Sequence, residues 1–312
     1  VEFVEDEYKP ATAVSKCKQL VEQKKALMLF GGGGTDQIQA CARYAAQVGV
    51  PYMSAGVTEV NMCSLKNYFA ASMSYPQQAP YLARYIKKNF AGQKVGMVYS
   101  NTKNFFDARD AFVKEIDSEL FQMSRLPSQS EIAQTAQQMC AKGIKVGFIL
   151  TTPTTYIALA NQVKSQCGAI QWTGVGITMG LNAVAGTGCQ TNQAVDKGIF
   201  LSPVPGVDKM FEVDPEFKAA VDKYNGGSYD DIFALLWGGT KVAGEILKAA
   251  GPNLTRGSFI AAGEKTTIPP AMYPGLQYSP TNHFGAKTVH VIQADCAGGY
   301  NKYRTLQTNA QF

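Results

Sequence analysis

Up to about residue 204, short runs of consecutive apolar residues alternate with longer stretches in which apolar residues return at i, i+3 and i+4. The short runs have the length of buried strands, and the longer stretches have the period of amphipathic helices. The pattern predicts strands over residues 1–4, 26–30, 52–54, 95–99, 121–126, 146–150, 172–175 and 199–202. It predicts helices over 12–23, 36–48, 80–90, 107–116, 131–141 and 155–165. Strand and helix in regular alternation imply a parallel sheet, so the fold class is α/β. The order also repeats. Residues 12–54 read helix, strand, small-residue loop, helix, strand, and residues 131–175 read the same, with Gly31-Gly32-Gly33-Gly34-Thr35 answered by Thr151-Thr152-Pro153-Thr154-Thr155. Two similar α/β lobes are implied.

Beyond residue 204 a strong helix is predicted over 230–250, stopped by Gly251-Pro252. A hairpin is expected after it, from Gly275-Leu276-Gln277-Tyr278 through a turn at 279–285 into Thr288-Val289-His290-Val291-Ile292-Gln293. The composition, 46% hydrophobic and 17% charged over 312 residues, is that of a packed globular protein and argues against disorder or a coiled coil. The net charge of +5 comes from scattered residues; Lys16, Lys18, Lys24 and Lys25 are the densest group and fall at helix-face spacing, so nucleic acid is not an expected partner. The longest apolar runs, such as 26–30 and 146–150, fall far short of the ~20 residues of a membrane helix.

Seven cysteines are many for a reducing compartment, and none stands in a C-x-x-C or a Cys/His metal spacing. Buried thiols are one reading; an oxidised, extracytoplasmic protein is the favoured one. The chain opens on Val1-Glu2-Phe3-Val4-Glu5-Asp6, already strand-like, without an initiator Met, charged n-region, apolar h-region or cleavage site. An upstream piece removed or not included is expected.

In open parallel sheets, ligands settle beyond the carboxyl ends of the strands. The Gly31 to Thr35 loop lies there: its glycines admit a ligand close to the main chain, and Thr35 can cap the helix or donate to a carboxylate. A tight turn with a good cap explains the same residues equally well. Ser54-Ala55-Gly56-Val57-Thr58 adds two hydroxyls at the next strand end, Thr151 to Tyr156 adds a hydroxyl cluster in the other half, and Asn104-Phe105-Phe106 adds aromatic surface. Enzyme motifs fail at these loops. The third glycine of a dinucleotide fingerprint and a G-K-[ST] are missing, and there is no G-x-S-x-G elbow, metal-spaced histidine pair or paired carboxylates. The two imidazoles, His283 and His290, fall in the late hairpin, where structural roles are expected. Donors and aromatic faces without a general base are binding chemistry, so no catalysis, no cofactor and no metal are expected.

The segment Val4-Glu5-Asp6-Glu7-Tyr8-Lys9-Pro10 followed by Ala13-Val14, then a strand, a small-residue loop and Val50-Pro51-Tyr52-Met53-Ser54-Ala55-Gly56, resembles the type I periplasmic-binding-protein fold. The likeness is to its branched-chain amino-acid (Leu/Ile/Val)-binding branch. Lys94-Val95-Gly96-Met97-Val98-Tyr99, Gly198-Ile199-Phe200-Leu201-Ser202, the helix containing Trp237 and residues 275–293 continue it in order along nearly the whole chain. The resemblance implies two Rossmann-like lobes with parallel sheets, joined by three crossings and closing around a small molecule. It implies an extracytoplasmic solute-binding protein of an ABC importer, with a membrane permease as partner. On this frame one lobe takes residues 1–75 plus 204–280, and the other 76–203 plus 281–312. A ligand-sensing receptor or regulator on the same fold, and a nucleotide-dependent Rossmann-type enzyme, are the alternatives.

Carried over onto this chain, Thr35 and Thr58 match positions that hold a ligand carboxylate, with Gly34 and Ser54 beside them and Val57 between contacts. Phe105 lies near an aromatic that covers the ligand, Thr152 near another contact, and Trp237 replaces a frequent tyrosine. Amino-acid binders place a carboxylate near the end of the 172–175 strand to pair the ligand ammonium, yet Gly174-Val175-Gly176-Ile177-Thr178-Met179-Gly180 contains no acid. A buried ammonium without a counter-charge costs several kcal/mol. The expected ligand is therefore a small carboxylate or neutral molecule whose apolar or aromatic body lies against Phe105, Phe106, Tyr156, Met179 and Trp237, of which core packing claims at least two. The resemblance also implies a strand and helix ahead of Val1, the strand being central in the order 2-1-3-4-5. A separate N-terminal fragment, a cleaved but retained one, or a piece absent from the sequence is expected to complete that lobe. In the same frame Cys17 can meet Cys41, Cys140 can meet Cys167, and Cys189 can meet Cys296, leaving Cys63 over.

Overall fold

A computed structural model describes residues 1–32, 34–56, 58–176, 181–298 and 303–311. The chain forms two compact units, Val1–Ser74 with Leu236–Lys287, and Tyr75–Leu235 with Thr288–Phe312.

In the first unit α1 (Pro10–Lys18) begins on a proline, whose missing N–H costs nothing at a helix start. A π-helical turn, Gln19–Gln23, extends it. Then come β1 (Leu29–Phe30), α2 (Thr35–Gln47), β2 (Tyr52–Ser54) and β3 (Tyr68–Ala70). The three strands form a parallel sheet in that order, with Leu29 opposite Tyr52 and Met53 opposite Phe69. Every residue of β2 and β3 is buried, as in strands covered on both faces.

The second unit carries α3 (Tyr75–Asn89), β4 (Val95–Ser100), α4 (Lys103–Glu115), β5 (Glu119–Met123), α5 (Gln129–Ala141) and β6 (Val146–Leu150). It continues with α6 (Pro153–Cys167), β7 (Gln171–Val175), α7 (Leu181–Thr191), β8 (Ile199–Ser202), α8 (Val207–Val213) and α9 (Pro215–Tyr224). The chain then enters α10 (Asp231–Ala250), whose first residues belong to this unit and whose remainder belongs to the first. There α10 is followed by α11 (Arg256–Gly263) and the antiparallel pair β9 (Thr267–Ile268) and β10 (Leu276–Gln277). The chain ends in the second unit with β11 (Val289–Ala294) and β12 (Tyr303–Ala310). Its sheet has the order β12-β11-β8-β7-β6-β4-β5, parallel from β8 to β5 and closed by two antiparallel strands. The fully buried run of β6 is the middle strand of the parallel part, and Met139, Tyr156, Leu159, Trp172, Val195 and Phe200 belong to one core cluster.

Glycine sets one close approach in the first unit. A side chain at Gly239 of α10 would come within 2.7 Å of the Phe30 ring, so only glycine lets the helix lie there unshifted. The outer edge of β3 is closed by the 278–284 segment: the Ala70 N–H donates to the His283 carbonyl at 3.0 Å. The His283 ring stacks on Phe69 with centroids 4.2 Å apart. Its Nδ1 donates to the Tyr68 carbonyl at 2.9 Å, and its Nε2 lies 3.2 Å from Glu264 Oε1. His283→Ala is expected to cost about 2–3 kcal/mol in urea unfolding, because a stacked ring and a buried donor are lost together; a loss below about 0.5 kcal/mol would show that this clasp is idle.

Several expectations are corrected. Residues 1–4 form no strand. Among the described residues β1 pairs with β2. The expected hairpin is split: β10 pairs with β9 and β11 with β8 and β12, although a bridge from Leu276 to Ala286 joins the ends of the loop. The strand expected at 121–126 runs over Glu119–Met123 instead. Residues 204–235 join the second unit, not the first, because Phe211, Phe217, Tyr229 and Phe233 pack on one another and Asp208 accepts from the Thr305 N–H and hydroxyl of β12. Residues 281–287 stay with the first unit through the β3 clasp.

Three disulfides form, Cys17–Cys41, Cys140–Cys167 and Cys189–Cys296, with Cα atoms 6.0, 5.7 and 5.1 Å apart, and Cys63 is an exposed thiol. The first two tie α1 to α2 and α5 to α6, the same pair of helices in the repeated motif of each unit. Thiol titration in denaturant without reductant is expected to find one reactive thiol per chain; six or seven would contradict the bridges.

Candidate functional site

In the first unit the loop after β1 runs into the N-terminus of α2, and in the second the loops after β4, β5 and β6 run into those of α4, α5 and α6. In the first unit, Gly34 is the N-cap of α2 with its carbonyl accepting from the Ile38 N–H, and Thr35 follows it, buried. Tyr52 reaches back from β2 to donate to the Gly31 carbonyl at 2.8 Å, fixing the glycine loop from beneath. Burial pushes the hydroxyls of Tyr52 and Tyr68 up, so both are neutral donors at ordinary pH. At the end of β2, Thr58 is buried and its Oγ1 accepts from the Val60 N–H at 3.2 Å. Glu59 accepts from Ser74 Oγ at 2.7 Å, linking the loops after β2 and β3.

In the second unit Thr152 caps α6, its hydroxyl accepting from the Thr155 N–H. Phe105 on α4 is buried with its ring 6.4 Å from that of Tyr75. Phe106, next along the helix, lies under the Arg109 guanidinium at 4.7 Å and against Tyr99 at 6.1 Å. The Tyr99 hydroxyl, and after it Asp110, hold the Arg109 guanidinium further above its ordinary range. Gly176, at the end of β7, has φ +63° and takes a conformation that favours glycine; a side chain there would also strike Tyr75 at 2.6 Å.

Two expected contact residues are internal. Ser54 is fully buried with its hydroxyl 2.7 Å from that of Tyr68. Tyr156 is fully buried on the inward face of α6, edge-on to Trp172 and Phe200. Both support the loops from within. Trp237 is half-buried on α10. Val57 and Met179 lie outside the described residues.

Pattern reading missed three hydroxyls. Those of Ser72 after β3, Ser100 at the end of β4 and Thr102 at the N-cap of α4 are buried with no hydrogen-bond partner among the described residues. Each stands at a strand end or the helix start after it. A buried hydroxyl left unsatisfied costs about 1–3 kcal/mol. Among the described residues, no group of His, Cys, Asp and Glu could hold a metal ion, and no helix is long and apolar enough to cross a membrane.

Residues 1–300 match the model of one family, described as periplasmic binding protein. The chain belongs to the periplasmic binding protein family. No curated protein matches its sequence. Among solved structures, this periplasmic binding protein is similar to a leucine-binding protein from Thermotoga maritima, with TM-score 0.81, 14% identity, and coverage of 97% of this chain and 85% of that one. It is similar to a solute-binding protein of an ABC transporter from Rhodopseudomonas palustris in complex with 3,4-dihydroxybenzoic acid, with TM-score 0.78, 17% identity, and coverage of 100% and 86%. It is also similar to a branched-chain amino acid ABC transporter protein from Thermus thermophilus with bound valine, with TM-score 0.78, 12% identity, and coverage of 99% and 84%. The fold of this periplasmic binding protein is thus the type I fold that its sequence resembles.

Proposed function

We propose that this chain is the extracytoplasmic solute-binding protein of an ABC importer and that it takes a small carboxylate or neutral ligand with an apolar or aromatic body. The observation that carries the reading is the set of buried, unpartnered hydroxyls, Ser72, Ser100 and Thr102, at the strand-end loops of a periplasmic binding protein. Thr35 and Thr58 are proposed to donate to the ligand carboxylate and Gly34 to leave the α2 N-terminus open to it. Phe105, Phe106 and Trp237 are proposed to face its apolar body, and Thr152 to present the α6 N-terminus.

Binding in place of turnover is supported by the same loops, which offer hydroxyls, main-chain N–H groups and rings without a group poised as a general base. Export is supported by the three disulfides, which persist in oxidising compartments. Similar solved structures hold 3,4-dihydroxybenzoic acid, benzoate and valine, so the fold accommodates aromatic carboxylates as well as amino acids.

Calorimetric titration of the whole chain with benzoate, 3,4-dihydroxybenzoate and a short fatty acid tests the ligand class. One-to-one binding in the micromolar range by at least one of them is expected. Thr35→Val should weaken that binding about 10- to 100-fold through loss of a charge-assisted hydrogen bond. Equal affinity in the variant would remove Thr35 from the site, and no binding by any of the three would overturn the ligand class.

A further inference from the structure

We propose that Arg109 is a positioning residue that fixes the Phe106 ring before ligand arrives, so that the second unit favours an aromatic acid over an aliphatic one of the same size; this rests on the ligand class proposed above. Phe105 and Phe106 follow each other on α4 and diverge. Phe105 is buried with its ring toward Tyr75, whereas Phe106 is half-buried and meets Tyr99 of β4 edge to face, at an interplanar angle of 85°. Arg109 stands three positions after Phe106, a spacing that puts two side chains on one face of a helix. Its guanidinium carbon lies 4.7 Å from the centroid of the Phe106 ring and 5.3 Å from that of Tyr99, within reach of a cation–π contact to both.

The guanidinium is itself held. Its Nε donates to Asp110 Oδ1 at 2.7 Å, and its Nη2 lies 2.7 Å from the same oxygen. Its Nη1 donates to the Tyr99 hydroxyl at 3.4 Å, which in turn donates to Gln122 Oε1 of β5 at 3.2 Å. Residues of two strands and a helix therefore set the plane of the guanidinium, and that plane sets the ring. A lysine ammonium, a point charge on a flexible stem, has no plane to offer. Asp110 already meets the charge of Arg109, so the guanidinium acts here through its flat face and not as a free cation. A half-buried phenylalanine ordinarily loses rotamer freedom when a ligand orders it; here the stack has removed that freedom in advance, which is preorganisation. A ring held in one place rewards a second ring that can stack on it or meet it edge-on by up to about tenfold in affinity, while an aliphatic body gains contact area alone.

The test is calorimetric titration of the whole chain with benzoate and with cyclohexanecarboxylate, two acids of one size and charge that differ in aromaticity. Benzoate is expected to bind at least about fivefold more tightly. Arg109→Met, which keeps the packing of the stem, should weaken benzoate more than cyclohexanecarboxylate and bring their ratio below about twofold. Arg109→Lys, which keeps the charge and loses the plane, should do the same, and it carries the comparison if the Met variant does not fold. Phe106→Leu should lower the ratio equally, and the double variant Arg109→Met with Phe106→Leu should lower it no further, because the first residue acts through the second. A ratio that survives both Arg109 substitutions, a loss of the same factor for both acids, or additive losses in the double variant would overturn the proposal. Equal affinity of the unsubstituted chain for the two acids would overturn it while leaving the ligand class standing; binding of neither would remove the ligand class and this proposal with it.

Discussion

Replacing Cys189 and Cys296 together by serine is expected to lower the free energy of unfolding by about 4–5 kcal/mol in the chain-entropy picture. The bridge closes a loop of 107 residues, against 24 for Cys17–Cys41 and 27 for Cys140–Cys167, so it removes the most freedom from the unfolded chain. The shorter bridges are each expected to contribute about 3.5 kcal/mol. Position adds to length. Cys189 belongs to the core cluster of the second unit, and Cys296 follows β11, the strand that brings the returning chain back onto β8. Urea unfolding followed by probes in each unit would show the loss in the transition of the second unit. A change below about 1 kcal/mol there would mean that the sheet holds its last two strands without the bridge.

The second large effect is selectivity. Leucine, isoleucine and valine are expected to bind at least about 100-fold more weakly than a carboxylate of similar apolar size, since about 2.7 kcal/mol separates the two and an unpaired buried ammonium costs more than that. The stretch from Gly174 to Gly180 has no acid to meet an ammonium, and the strand-end loops offer mainly hydroxyls and rings. Glu59 stands at the end of β2 in the other unit, engaged with Ser74. Competition titrations would decide: micromolar leucine binding would refute the selectivity, and if Glu59→Gln then abolished it, Glu59 would be the counter-charge that the sequence pattern overlooked.

How legible these features were depends on what each residue signals alone. The run Val146 to Leu150 announces a central strand because every position is apolar, and it is buried throughout. α10 was readable from its period and from Gly251, which follows it with φ +75°. β12 was not, since its eight residues are mostly polar, half of them exposed, and its pairing to β11 is settled by tertiary contact. The placement of 204–235 failed for a similar reason: aromatics at 211, 217, 229 and 233 show no regular period, and only folding reveals them as one cluster. Among the residues proposed to bind ligand, Thr35 and Thr58 stood out because they sit in small-residue loops after strands. Ser72, Ser100 and Thr102 did not, because a lone hydroxyl becomes telling only once its burial and want of a partner are known. Tyr156 shows the converse, a hydroxyl near a strand end that points into the core.

Native mass spectrometry of the protein as purified tests most directly whether it is a solute-binding protein. The expected spectrum shows the 33.7 kDa chain with one small molecule of a few hundred daltons or less, lost on denaturation and replaced one-for-one when an aromatic or aliphatic carboxylate is added. A chain that carries a nucleotide, or that takes up none of these carboxylates in any ratio, would contradict it.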